Sequence, residues 1–140
     1  MPVENLARSD IVTAAPDDSI QDLATTMDDE AVGCIVITDG DAPVGIVTDR
    51  DLVMRTLATG TDPAGVVAED VMTEDPCTID DGAGFYQATE LLSEHGVRRL
   101  PVTDGDGDLT GIITVDDLNE LLADEHQELA GVIRKQRPPY

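Results

Sequence analysis

The sequence predicts an α+β fold of two helix-strand-strand-helix repeats related by pseudo-twofold symmetry, their small sheets packed together and their helices outside. The first observation is an internal repeat. Ile37-Thr38-Asp39-Gly40-Asp41 returns as Val102-Thr103-Asp104-Gly105-Asp106, and Gly45-Ile46-Val47-Thr48-Asp49-Arg50-Asp51-Leu52 returns as Gly111-Ile112-Ile113-Thr114-Val115-Asp116-Asp117-Leu118. The second is periodicity: apolar residues recur at helical spacing before each hairpin and in short unbroken runs within it. The third is size. A chain of 140 residues, 41% hydrophobic, can bury a core without disulfides. A β-β-α piece with one helix in front covers one side of a small sheet, so two such pieces packed together close the core.

In the first repeat, Ser19 is a natural N-cap, followed by Ile20, Leu23, Ala24 and Met27 on one helical face. Cys34 to Ile37 is a short apolar strand, Asp39-Gly40-Asp41 a turn, and Val44 to Val47 the returning strand. A second helix follows from about Asp49 to Leu57. The second repeat offers a helix with Phe85, Ala88 and Leu92 on one face, then strands Leu100 to Thr103 and Leu109 to Thr114. Its closing helix carries Leu118, Leu121 and Leu122, and its turn is one residue longer. Short extended segments precede the units at Ile11 to Thr13 and Cys77 to Ile79. Gly60-Thr61-Asp62-Pro63-Ala64-Gly65 is turn-rich. The expected division is a first repeat over 6–60, a linker over 61–70, a second repeat over 71–124 and a C-terminal tail over 125–140.

The formal net charge is −22, with 30 acidic against 8 basic residues, and Lys135 is the only lysine. The acids are dispersed, which points to the hydrated surface of a halophilic protein, its self-repulsion screened by salt. Nucleic acid is excluded as a partner because no cationic face exists to displace phosphate counterions. No apolar run approaches the roughly 18 residues of a membrane span, and Met1-Pro2-Val3-Glu4 lacks the basic start of a secretory signal. A soluble cytoplasmic protein is expected. Cys34 lies inside an apolar run as a small core residue, and neither the two cysteines nor His95 and His126 have metal-ligand spacing. Asp104-Gly105-Asp106-Gly107-Asp108 begins like a calcium loop, but Leu109 and Val115 stand where that loop requires glycine and glutamate. With no phosphate-binding glycine loop and no nucleophile paired with a base, the expectation is no enzyme, no metal site and no tightly bound cofactor.

The repeated Gly-apolar-apolar-Thr-x-x-Asp segment carries the chemistry. Thr48 and Thr114 end a strand where a helix begins, so free N–H groups and the helix dipole favour an anion or oxygen-rich ligand. Asp51 and Asp117 follow in the first helical turn, and a carboxylate's two oxygens suit the adjacent hydroxyls of a ribose. The same spacing is also that of a capping box, in which Thr and Asp only satisfy backbone N–H groups. Arg98-Arg99 brings planar guanidinium groups suited to phosphate, with ion pairing to nearby acids as the plain alternative. The tail residues Arg134, Lys135 and Arg137 suit a solvated end or a docking segment.

At these residues the chain resembles the CBS-domain family, named after cystathionine β-synthase, whose tandem pair is called a Bateman module. The resemblance covers about residues 6 to 124. It rests on both Gly-apolar-apolar-Thr-x-x-Asp-Leu segments, the strand and Asp-Gly turn before them, Val71-Met72-Thr73, and Gly96-Val97-Arg98-Arg99-Leu100-Pro101-Val102. It implies a non-catalytic sensor binding an adenosine-containing ligand, AMP, ADP, ATP or S-adenosylmethionine, in clefts between the repeats. The implied ligand-binding set is Thr13, Gly33, Cys34, Val47, Thr48, Asp51, Thr78, Arg98, Arg99, Pro101, Ile113, Thr114 and Asp117. Asp51 and Asp117 would hold ribose, and Thr48 and Thr114 ribose or phosphate. The first repeat has Gly33-Cys34 where the second has Arg98-Arg99. The second is therefore expected to favour phosphorylated ligands, and the first to stay empty or take a less charged nucleoside. The resemblance further implies a homodimer through the outer helices and an unknown effector protein. Two rival readings are a ligand-free structural dimerisation module and a divalent-cation sensor.

Overall fold

The computed structural model describes residues 1–139. Strand β1 (Thr13–Ala14) runs parallel to β2 (Cys34–Asp39), which pairs antiparallel with β3 (Ala42–Thr48), with helix α1 (Ile20–Glu30) between β1 and β2 in the chain. The second unit repeats this with β5 (Ile79–Asp80), α4 (Phe85–His95), β6 (Arg99–Thr103) and β7 (Leu109–Thr114). Both hairpins shift register at the same place, between Ile37 and Thr38 and between Val102 and Thr103. The alternation of the strands buries Ile35, Ile37 and Val47 in one core and Leu100, Val102 and Ile113 in the other.

Local chemistry sets the ends. The Ser19 hydroxyl accepts the Asp22 N–H at 3.1 Å to start α1, as expected. Helix α4 starts at Gly84 without a side-chain cap and stops at Gly96, whose φ of 62° is a left-handed turn that glycine adopts freely. Hairpin β2–β3 turns at Gly40, also left-handed at φ 62°.

The two repeats are tied by exchanged leaders. Helix α3 (Ala68–Val71) and strand β4 (Thr73–Glu74) lead into the second repeat, yet β4 pairs with β3 of the first, Ile46 opposite Thr73. Reciprocally, Arg8 leads into the first repeat and bridges Ile112 of the second, with N–H···O distances of 2.9 and 3.0 Å. Val3 is fully buried in the core of Leu100, Val102 and Ile113, while Ala68 and Val71 sit in the core of Ile35, Ile37 and Val47. Equivalent backbone bonds hold both leaders: Val3 N–H to the Ala83 carbonyl at 2.7 Å, Ala68 N–H to the Asp18 carbonyl at 2.8 Å. Glycines let them pass. A Cβ on Gly111 would stand 3.0 Å from both Ala7 Cβ and the Arg8 carbonyl oxygen, and one on Gly45 would overlap Met72 Sδ.

Three features depart from the expectations. The stretch expected to be a linker over 61–70 contains the start of α3, because the Asp70 carboxylate accepts the Val67 N–H at 3.0 Å and Ala68 is buried. Helix α2 (Asp49–Leu52) continues as a π turn, Val53–Leu57, closed by Ala58 N–H to the Val53 carbonyl at 2.9 Å. Buried Thr56 turns its hydroxyl onto the Leu52 carbonyl, the acceptor its own N–H would use in an α-helix. The region set apart as a tail over 125–140 is instead helical to Gln136, as α5 (Val115–Gln136). It ends where Pro138 forces Arg137 into an extended conformation, φ −66° and ψ 132°. None of the helices among the described residues is long and apolar enough to cross a membrane.

The exchange makes Val3 a core residue. Val3→Ala is expected to lower unfolding free energy by about 2 kcal/mol in urea titrations. Glu4→Ala, at its exposed neighbour, is expected to change it by less than about 0.5 kcal/mol.

Candidate functional site

Both Thr-x-x-Asp segments form reciprocal caps. Thr48 N–H donates to Asp51 Oδ2 at 2.9 Å while Asp51 N–H donates to Thr48 Oγ1 at 3.1 Å. Thr114 N–H donates to Asp117 Oδ2 at 3.1 Å, its hydroxyl donates to the same oxygen at 2.9 Å, and Asp117 N–H reaches Thr114 Oγ1 at 3.2 Å. Capping thus uses Oδ2 of each carboxylate and leaves Oδ1 over. The two repeats differ in what meets that second oxygen. Arg8 donates to Asp117 Oδ1 through Nε at 2.9 Å, with Nη2 in ion-pair contact 2.8 Å from the same oxygen. At Asp51 the nearest cation is Arg55, its Nε 3.8 Å from Oδ1, with the guanidinium turned to the Val71 and Met72 carbonyls.

A cleft of about 400 Å³ lies between the repeats, lined by Arg8, Asp10, Ile11 and Val12, by Ala31 to Cys34 and Val36, and by Arg98, Arg99, Ile112, Thr114 and Asp116. Five of the sequence-predicted residues meet there: Gly33, Cys34, Arg98, Arg99 and Thr114. Gly33-Cys34 and Arg98-Arg99 therefore share one cleft instead of marking two separate sites, since they are equivalent positions facing each other across the pseudo-twofold. Asp117 sits beside the cleft, joined to it through Arg8 and Thr114. Val47 and Ile113 are fully buried in the two cores and Pro101 is buried in β6, so their side chains face the interior. Thr13 is exposed on β1 opposite Val36, Thr78 is half-buried just before β5, and Thr48 and Asp51 cap α2 outside the lining.

The cleft collects cations in an acidic protein. Arg8, Arg98 and Arg99 are three of the chain's 8 basic residues. Arg98 Nη2 lies 3.5 Å from Asp116 Oδ1, but both side chains are about 70% exposed (69% and 73%), and such a pair is easily exchanged. Arg99 is half-buried and forms no ion pair among the described residues. Burial pushes the Cys34 thiol up to about 11, with nearby Arg99 pulling weakly the other way. It is therefore a neutral, small cleft edge at physiological pH and no nucleophile.

The sequence reading missed Arg8. No motif surrounds it, and the segment before a repeat gives no sign that it crosses to the other one. The available signal was scarcity: few cations stand outside the C-terminal end of so acidic a chain. The acidic hairpin is a turn, with Asp106 and Asp108 N–H groups on Asp104 Oδ1 at 2.9 and 3.0 Å.

The chain is 37% identical to the uncharacterised protein YlbB of Bacillus subtilis over 131 residues, covering 92% of this chain and 86% of that one. It is 35% identical over 117 residues to the uncharacterised protein MK0525 of Methanopyrus kandleri, covering 83% of this chain but only 60% of that protein. Its structure is similar to the CBS-pair protein CBSX2 of Arabidopsis thaliana in complex with AMP, with TM-score 0.76, 26% identity, and coverage of 88% of this chain and 97% of that one. It is likewise similar to the CBS domain protein PAE2072 of Pyrobaculum aerophilum complexed with AMP, with TM-score 0.75, 26% identity, and coverage of 84% and 89%. The CBS domain model matches residues 3–57 and 67–124, so each match begins with the leader that crosses to the other repeat. With two matches spanning most of its length, this chain belongs to the CBS domain family and carries the domain twice in tandem.

Proposed function

We propose that this protein is a non-catalytic regulatory module that binds an adenine nucleotide in the cleft between its repeats. The observation that carries this reading is the convergence of Arg98, Arg99 and the capped start of α5 on one cleft whose other wall is the Gly33-Cys34 edge. A phosphate meets the guanidinium groups and the Thr114 region, where the helix dipole favours an anion. The adenine rests against Gly33, Cys34, Val36 and Ile112, and the ribose hydroxyls turn to Asp117. The AMP complexes of CBSX2 and PAE2072 support this choice of ligand class. Cationic S-adenosylmethionine is a poorer match for a cleft with three arginines, so AMP, ADP or ATP is favoured over it.

Regulation then follows from differential affinity. A ligand touching both repeats shifts their relative arrangement by no more than its preference for one arrangement. The signal passes to a separate effector protein, in the cytoplasm, from a homodimer formed through the outer helices. Half-exposed Val53 and the exposed Leu57 beside α1, and Val97, Val115 and Leu122 beside α4, offer apolar surface for that contact. Thr48 and Asp51 suit the purely structural alternative, because they cap α2 outside the cleft lining. The dispersed charge of −22 fits a protein that works in concentrated salt.

Thermal-shift measurements in concentrated salt, with AMP, ATP, S-adenosylmethionine or magnesium, test the reading. AMP at a hundredfold excess over its Kd is expected to stabilise the fold by about 2.7 kcal/mol. Asp117→Ala and Asp51→Ala each remove a cap residue and are each expected to cost about 1 kcal/mol. Only Asp117→Ala should also abolish the shift with AMP. A response to magnesium alone would favour the cation sensor, and no response to any addition would favour the structural module.

Arg99→Ala is expected to weaken AMP about tenfold in calorimetric titrations while leaving the fold intact. Between 0.1 and 2 M KCl the melting temperature is expected to rise by about 5 °C or more as self-repulsion is screened.

A further inference from the structure

Asp117 is the residue that the nucleotide reading assigns to the ribose, yet its carboxylate is already fully engaged. Oδ2 takes the N–H and hydroxyl of Thr114, and Oδ1 takes Arg8 Nε and Nη2 at 2.9 and 2.8 Å. The Asp117 side chain is only 9% exposed, so little of it is left for a ribose to approach. Arg8 itself is 58% exposed and lines the cleft with Arg98 and Arg99. Its backbone is pinned to Ile112 in both directions, at 2.9 and 3.0 Å, so its guanidinium moves on a fixed base. The equivalent leader position in the other half is Thr73, which carries no cation, and Asp51 Oδ1 has no hydrogen bond among the described residues. The occupied carboxylate is a property of one site, made by one residue.

We infer that Arg8 is a phosphate-responsive latch that closes the ribose position at Asp117 against unphosphorylated nucleosides. The inference rests on the nucleotide reading above. A ribose diol that takes Asp117 Oδ1 must displace the guanidinium. A neutral nucleoside offers Arg8 no new anion, so the lost ion pair counts fully against binding. A nucleotide brings a phosphate into the same cleft, and Arg8 exchanges one anion for another by rotating its exposed side chain. The cleft thereby discriminates by charge at a distance from the phosphate-facing Arg98 and Arg99, through an element contributed by the leader of the opposite repeat. The arrangement works by unpairing a group when the wrong ligand binds, which separates ligands more sharply than added attraction alone.

The test is calorimetric titration of adenosine and of AMP into the wild-type protein, Arg8→Ala and Arg8→Lys at one fixed salt concentration. For Arg8→Ala, adenosine is expected to bind about fivefold more tightly and AMP about tenfold more weakly. Arg8→Lys should recover part of the preference for AMP, since a point charge replaces the planar fork. Opposite shifts for the two ligands are the signature, because general damage to the fold would weaken both. Affinities that move together, or an unchanged ratio between them while the wild type still binds AMP, would overturn the latch and leave the nucleotide reading standing. Absence of binding by either ligand to all three proteins would overturn both.

Discussion

The exchange of leaders between repeats is the constraint on which the other features depend. Each hairpin has an outer strand, β3 or β7, that would be an unprotected edge in an isolated repeat. Thr73 covers the first and Arg8 the second, and the apolar residues just before them, Val71 and Val3, complete the opposite cores. Neither repeat is therefore a finished folding unit. Gly45 and Gly111 are the contact points, because any larger residue would push the crossing segment away from the strand. The cleft follows from the same crossing. The segment from Arg8 to Val12 forms one of its walls while joining the second repeat's sheet to the first repeat's β1.

The carboxylate of Asp117 shows how a capping role leaves one oxygen over for a second contact. A capping box needs one oxygen, and a carboxylate has two. The choice between a cap and a ligand contact is thus not exclusive; it is made oxygen by oxygen. In both repeats Oδ2 belongs to the cap, with the Thr114 hydroxyl adding a bond there in the second, and the larger difference between the sites lies in Oδ1. Duplication copied the cap faithfully. What diverged is the residue arriving from the other repeat, Arg8 in one case and Thr73 in the other.

Most of the fold was legible because its signals are local. The Ser19 cap, the apolar face of α1, the hairpin turn at Gly40 and the strand alternation around Ile35 and Leu100 are all set by nearby residues. Legibility failed where the decisive contact was distant. Thr73 looks like a loop residue until Ile46 pairs with it, and Arg8 looks solvated until Asp117 is placed beside it. Strands of two residues such as β4 carry no period to detect. The extension of α5 to Gln136 was legible in principle, since nothing but Gly131 interrupts its helix formers before Pro138. For the candidate site, Gly33, Cys34, Arg98, Arg99 and Thr114 of the set that the family resemblance implies line one cleft. That the two pairs face one cleft depends on the symmetry axis, which no residue reports alone.

The net charge adds a last physical step. A protein at −22 repels an anionic nucleotide at long range when salt is dilute, whatever its cleft contains. At molar ionic strength the screening length falls to about 3 Å, and only charges in near contact still act. Under that condition the dispersed acids no longer act across the distance to the cleft, and the three arginines that line it are the cations in near contact with its interior. It also explains why pairs inside the cleft can be exchanged. Arg98 with Asp116 is exposed, so salt and water already weaken it, and a phosphate has little to displace. Asp117 is shielded, its partner Arg8 makes one hydrogen bond at 2.9 Å and a second close contact at 2.8 Å, and salt reaches that pair least. The better-shielded ion pair at the cleft is thus that of Arg8 with Asp117, and the more exposed is that of Arg98 with Asp116.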